Sequence, residues 1–251
     1  MVKNLLNLKT TTLVVFTLIL ANGLKTFAQE TSDKSIYNWF DSKIGKENTG
    51  LNNAPLYVNL DKPIKDHHTF LKTDQYTIGD IIYDGQPYFD IKLKYNIYSD
   101  QLVMNPFGQF DNVAVALIQE KTTSFSIYNK QFLKLNLKIT SLPDFTAGYY
   151  EVAKANDNLI LYIKHHKDNN KIVKDDGVFY SYKTKNRFYL LYNNNYYEVN
   201  SKKSVQKIFP EFKSNIKTFY NLNSEIYKND DSDFMKKMIF QIDALLNNKS
   251  N

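Results

Sequence analysis

Tyr83-Asp84-Gly85-Gln86-Pro87-Tyr88-Phe89-Asp90-Ile91-Lys92-Leu93-Lys94-Tyr95-Asn96-Ile97-Tyr98 is the stretch whose reading decides the fold. Asp84-Gly85 accepts the two positive φ angles of a type I′ turn. Gln75–Tyr83 before it and Tyr88–Tyr98 after it therefore read as the arms of one hairpin. In the second arm Phe89, Ile91, Leu93, Tyr95 and Ile97 alternate with Asp90, Lys92, Lys94 and Asn96. A period of two over this length describes a strand with one buried and one wet face. Ser99-Asp100 then turns the chain into Leu102-Val103-Met104.

The same grammar repeats downstream. Phe125–Tyr128 turns at Asn129-Lys130 into Phe132–Ile139, where Leu133, Leu135, Leu137 and Ile139 are expected to share the inner face. Tyr149–Ala153 turns at Asn156-Asp157 into Leu159–Lys164. Val178–Lys183 turns near Lys185-Asn186 into Phe188–Tyr192, and Asn193-Asn194 leads to Tyr196–Val199. Consecutive hairpins with Asn, Asp and Gly at the tips make an antiparallel meander, as a sandwich or a curved half-barrel.

The period changes after Asn200. Ser201 reads as an N-cap, with Val205, Ile208 and Phe209 at helical spacing. Pro210 ends that helix, and Phe212, Ile216 and Phe219 mark a second. Asp231 or Ser232 caps a third, striped by Phe234, Met238, Ile242 and Leu245. The class is α+β, mostly β, with two to three C-terminal helices on an antiparallel sheet.

Residues 1–28 read as a secretory signal peptide. Lys3 and Lys9 precede an apolar core, Leu13–Ala21, of about nine residues, too short to span a bilayer. Thr26-Phe27-Ala28 offers a small-x-small site, so cleavage is expected before Gln29. Residues 29–74 form an irregular N-terminal segment, 75–200 the β body and 201–247 the helices, with 29–247 as one domain. Losing Lys3, Lys9 and Lys25 lowers the formal charge from +6 to +3. That is too little to argue for nucleic acid. No cysteine is present, so neither a disulfide nor a lipidated cysteine is available. Lysines on a strand face and helices at the C-terminus argue against an outer-membrane barrel.

Chemistry-bearing motifs are sparse. Histidine occurs as the adjacent pairs His67-His68 and His165-His166. Zinc ligands usually stand two to five residues apart, and neighbours on a strand face opposite ways. Both pairs therefore read as solvated-loop residues, and no metal is expected. Asp84, Asp90 and Asp100 crowd one hairpin, but nothing in the sequence brings two carboxylates together, and Asp84 and Asp100 read as turn residues. No nucleophile elbow, Walker loop or dinucleotide fingerprint occurs, so no cofactor is expected. Arg187 is the only arginine, which disfavours a bidentate anion clamp. The Lys164–Asp176 run reads as a long solvated loop, or as an interaction loop.

The 19 tyrosines and 17 phenylalanines exceed what a core needs. Paired tyrosines on a strand send one ring to each face. One ring each of Tyr149-Tyr150 and Tyr196-Tyr197 is accordingly expected outside the core, as a contact surface for an envelope protein, glycan or lipid. The reading is a non-enzymatic binding or accessory module, in the periplasm, at the outer membrane or secreted. A periplasmic carrier of an apolar ligand and a hydrolase without recognisable motif are the alternatives.

Two stretches carry a resemblance. Tyr83 to Ile91, running on to Leu93, Tyr95, Asp100 and Leu102, is one. Phe188 to Tyr192, with Tyr196 to Val199 and the Ser201–Pro210 helix, is the other. Together they resemble a family of uncharacterised secreted proteins of Bacteroidetes-type bacteria. The resemblance implies a signal peptide, a β-rich body, C-terminal helices and an envelope setting, beside outer-membrane uptake systems. The family has no established active site, so it assigns no residue a role.

Overall fold

Asp84 and Gly85 have φ of 53° and 77° and close the hairpin of β1 (Thr77–Tyr83) and β2 (Gln86–Asn96), with Tyr83 opposite Gln86. A computed structural model describes residues 34–107, 113–136, 139 and 142–249. The leader expected over 1–28, with its Ala28–Gln29 junction, lies outside the described residues, as do Leu137 and Lys138. No helix among the described residues is long and apolar enough to cross a membrane.

The chain divides into two units after Thr49. In the first, residues 34–44 form helix α1, followed by a 3-10 turn, Lys46–Asn48. The second begins with a 3-10 turn, Gly50–Asn53, and is built on the sheet.

After β2 come β3 (Gln101–Met104), β4 (Val115–Ala116), β5 (Thr122–Ile127) and β6 (Lys130–Leu135). Then follow β7 (Gly148–Asn156), β8 (Leu159–Lys164), β9 (Lys167–Lys174) and β10 (Gly177–Thr184), and finally β11 (Arg187–Tyr192) and β12 (Asn195–Glu198). Ten of them form one antiparallel sheet in the order β12-β11-β8-β7-β6-β5-β1-β2-β3-β4, curled into a half-barrel. Two meanders, β1–β4 and β5–β8, lie side by side because β5 returns to the free edge of β1. With the C-terminal helices this is the expected α+β, mostly β class.

Three local expectations need correction. The alternation of β2 breaks at Asp90, which sits at φ 58° in a bulge where Gly79 pairs with Ile91 but Ile81 pairs with Tyr88. The extra residue swaps faces, so Tyr88 rather than Phe89 joins Ile91, Leu93 and Tyr95 in the core. The Asp90 N–H donates to Asp80 Oδ1 (3.0 Å), which anchors the bulge.

The β5–β6 turn is Tyr128-Asn129 (φ 54° and 56°), one residue earlier than expected. A one-residue slip inverts a strand's faces. Lys130 and Phe132 point inward, and Leu133 is exposed. The Lys164–Asp176 run is no loop. It supplies β9, which pairs with β10 as a separate hairpin arm, while β8 pairs directly with β11.

Helix α2 (Lys202–Ile208) starts at Ser201, whose Oγ accepts from Ser204 N–H (3.1 Å), with Ser204 Oγ accepting in return from the Ser201 N–H. Helices α3 (Lys213–Leu222) and α4 (Ser224–Asn229) lead to α5 (Asp231–Lys249); the short α4 was not legible in the pattern. Phe234, Met238 and Ile242 of α5, which packs on β7 and β8, are buried in one cluster with Ala153, Leu159, Leu161 and Ile163, and Leu245 is half-buried beside them. Ile242 is 1% exposed, so Ile242→Ala should cost about 2–5 kcal/mol in urea unfolding, and a smaller loss would mean the helix is only loosely docked. Gly85→Val is a milder test. A Cβ there meets nothing within 4 Å, so any loss, about 1 kcal/mol or more, reports positive φ alone. An unchanged midpoint would contradict the turn.

Candidate functional site

Glu151 is the centre of the best-built polar cluster. It lies on β7 opposite Phe132 and in phase with Tyr149, so its carboxylate enters the core, where the residue is 2% exposed. Two lysines and a histidine from three other elements converge on it. Oε2 accepts from Lys130 Nζ (2.8 Å) at the start of β6 and pairs with His165 Nε2 (2.6 Å) just past β8. Oε1 accepts from Lys236 Nζ (2.9 Å) on α5. Burial works against the carboxylate's charge. The hydrogen bond and charge of His165, with those of Lys130, outweigh it and hold the group well below the usual carboxylate range. Burial pushes Lys130 down, with Glu151 opposing.

Lys130 and His165 of the cluster line a cleft of about 350 Å³. Lys130, His165 and Lys167 line its base, Leu71 and Ile97 one side, and the α4–α5 corner at Asp230 and Asp231 the other. Nε2 of His165 is taken by Glu151, and Nδ1 has no hydrogen-bond partner among the described residues. Lys167 Nζ donates to the carbonyls of His68 (2.7 Å) and Phe70 (2.9 Å) and lies 3.3 Å from His68 Nδ1. No carboxylate pairs with it among the described residues.

Burial alone pushes Lys167 down to about 8. An unfolded lysine titrates near 10.4. Between about pH 8 and 10 the folded protein therefore sheds this proton first, and stability rises with pH. Lys167→Met should remove that rise; parallel pH profiles of wild type and variant would contradict it.

The histidines are not the solvated-loop residues expected. His165 is buried, His68 is half-buried, and His67 Nδ1 lies 3.0 Å from the Tyr182 N–H. Adjacency does send His166 the other way, to Asp168 (3.2 Å). Among the described residues no three His, Cys, Asp or Glu side chains gather as a metal site.

The tyrosine expectation also needs correction. Tyr149 and Tyr150 do face opposite ways, but both are fully buried. Tyr149 joins the Tyr95–Phe125–Phe132 ring cluster. The segment before β7 covers the other face: Phe145 stacks on Tyr150 (4.8 Å), and Tyr150 Oη donates to Thr146 O (2.7 Å). Tyr196 and Tyr197 are half-buried, Tyr196 against Phe145 and Tyr162 and Tyr197 against the helix-side core. Arg187 pairs with Asp144 (3.1 Å) and takes no part in the cleft.

A second hub is Asp100, at φ 55° between β2 and β3. It accepts from Tyr95 Oη, Lys164 Nζ (2.6 Å), Gln119 Nε2 (3.1 Å) and the Tyr149 N–H (3.3 Å). These bonds tie both meanders together and commit both carboxylate oxygens, which marks the hub as structural.

None of Lys130, Glu151, His165 or Lys236 stood out as a site residue in the sequence. The available signal was Glu151 itself, a carboxylate at an inward position of Tyr149-Tyr150-Glu151-Val152-Ala153. Compared with protein families, curated proteins and solved structures, the chain finds no match.

Proposed function

We propose that the protein is an exported, non-enzymatic binding module of the cell envelope, and that its ligand seats in the cleft above Glu151. The observation that carries the cleft reading is the buried cluster beneath it. Burying a carboxylate with two ammonium groups and an imidazole stabilises a fold no better than an apolar packing of the same volume. Such a cluster is better accounted for by the groups it holds in place at the cleft floor, the His165 ring and the Lys130 ammonium. Glu151 fixes the ring through Nε2, and Nδ1 keeps no hydrogen-bond partner among the described residues. That arrangement also suits a proton acceptor, but the Ser232 hydroxyl in the wall is committed to Asp230 (2.6 Å), which favours holding over catalysis. The cleft walls are mostly polar, which favours a polar ligand over the apolar cargo of a carrier.

The export part of the reading rests on residues 1–28 as sequence. The cleft part is tested by purifying the protein from its own cells, denaturing it and identifying released small molecules by mass spectrometry. Asn229→Trp fills the rim at an exposed position. A species released by wild type and missing from the variant is the expected result. Identical release from both would overturn the cleft.

A second reading, docking of a partner envelope protein, is favoured by residues 55–60. They run beside β4, with the Tyr57 N–H donating to Ala114 O (2.8 Å) and the Ala116 N–H to Pro55 O (2.8 Å). Leu56, Val58 and Leu60 alternate on the exposed side, the last 87% exposed. An exposed edge with alternating apolar side chains suits an added strand from a partner.

A further inference from the structure

We infer that the ligand of this cleft carries an oxyanion, a carboxylate or phosphate, held by Lys167 with Lys72 and Lys228 at the rim and the His165 ring at the floor. The inference rests on the cleft being the binding site and adds the ligand's chemical class.

The argument is one of unmatched charge. Four ammonium groups line the cleft, from Lys72, Lys130, Lys167 and Lys228, and two carboxylates, from Asp230 and Asp231. Of the four, only Lys130 has a carboxylate partner among the described residues, and that partner is Glu151 beneath the floor. The two wall carboxylates are spent within the protein. Asp230 Oδ1 accepts from the Asp233 N–H (2.9 Å) and from Ser232 Oγ, which caps α5. Asp231 Oδ1 accepts from Asn186 Nδ2 (2.7 Å). Neither forms an ion pair with Lys72, Lys167 or Lys228.

Lys167 is the group that matters most. Its ammonium is held by two backbone carbonyls, which supply partial charge but no full countercharge. A partly desolvated cation without an anion is costly, and burial shows in its pKa, pushed down to about 8. An oxyanion in the cleft would supply the missing charge and could accept the donor now turned toward His68 Nδ1. Lysine is a point charge without arginine's planar fork. The site should therefore hold one oxyanion group without demanding bidentate geometry, and phosphate and carboxylate should both fit.

The test is calorimetric titration of the protein, as its own cell produces it, with inorganic phosphate and with succinate at constant ionic strength; glucose is the neutral control. Ionic strength is fixed because exposed Lys72 and Lys228 act through screened charge. Saturable binding of either anion is expected, weakened at least tenfold by Lys167→Met. Lys167 also supports the fold, so Lys72→Met/Lys228→Met provides a variant with no hydrogen bond to lose, expected to weaken binding about threefold. Lys217→Met, on the exposed face of α3, should leave it unchanged. Phosphate saturating alone points to a phosphorylated ligand, and succinate alone to a carboxylate; either supports the inference. Absence of saturation by both anions, or saturation unaltered in the Lys72/Lys228 variant, overturns it. Release of a neutral molecule from wild type but not from Asn229→Trp would also overturn it while leaving the cleft reading intact.

Discussion

Glu151→Ala is expected to lower the unfolding free energy by about 3–5 kcal/mol, among the largest losses any single substitution here should produce. The reason is what remains. Among the described residues Glu151 is the only carboxylate paired with Lys130 and His165, which are 8% and 3% exposed. Removing it leaves an ammonium buried without its countercharge. Lys236 suffers less, because its side chain keeps 23% exposure and can turn outward. Glu151→Gln should fall between, since the amide keeps the volume and one acceptor but not the charge.

The sign with pH follows from the depressed carboxylate. Its stabilisation is present above the unfolded value, near 4.3, and is lost as pH falls through the lower folded value. Glu151→Ala should therefore be less sensitive than wild type to acidification below about pH 4. Pairing it with Lys130→Met should recover part of the loss, because the stranded charge goes too. Urea midpoints at pH 7 and pH 3 check all three. A loss below about 1 kcal/mol for Glu151→Ala would show that water reaches the cluster and solvates Lys130.

Local chemistry made some of the fold legible and long-range convergence hid the rest. Asp84-Gly85 and Asn193-Asn194 announce their turns because few residue pairs accept two positive φ values, and all four residues have them. The α5 stripe and the Ser201 cap are equally local. Tyr128 is the opposite case. A tyrosine at φ 54° is unfavourable taken alone, so the pattern points to a turn one residue later, with Lys130 at its tip. That slip concealed the site, because Lys130 faces Glu151 only in the true register. The bulge at Asp90 is invisible to a period-two reading for the same reason, since it changes the period itself. The covering of Tyr150 by Phe145 depends on a segment without periodicity. The cleft joins residues from Leu71 to Ser232 and comes from topology, chiefly from the β9–β10 arm leaving the sheet right after His165.

Gly148→Ala should cost about 3 kcal/mol, and Gly177→Ala about 1 kcal/mol, although the two backbones are nearly alike. Gly148 has φ 144° and Gly177 φ 141°, both in the region side chains avoid. The difference is what a methyl group meets. At Gly177, in the β9–β10 arm, nothing lies within 4 Å, so only the backbone term applies. At Gly148, at the start of β7, a Cβ would overlap the Asp100 carboxylate and the Lys164 ammonium. Those two atoms are bonded to each other at 2.6 Å, and the same carboxylate accepts from Gln119 and the Tyr149 N–H while its other oxygen accepts from Tyr95. Neither can retreat without breaking several bonds to half-buried or buried partners, each worth about 1–3 kcal/mol when left unmade. Subtracting the Gly177 effect from the Gly148 effect thus isolates what the Asp100 hub contributes to joining the meanders. Asp100→Asn should reproduce much of that difference without touching the backbone, because it leaves Lys164, mostly buried and already pushed down by desolvation, without its countercharge. Equal losses for the two glycine variants would mean that the hub yields at little cost, and the meanders would then be joined by β1–β5 pairing and the packing of Tyr95 on Phe125, Phe132 and Tyr149.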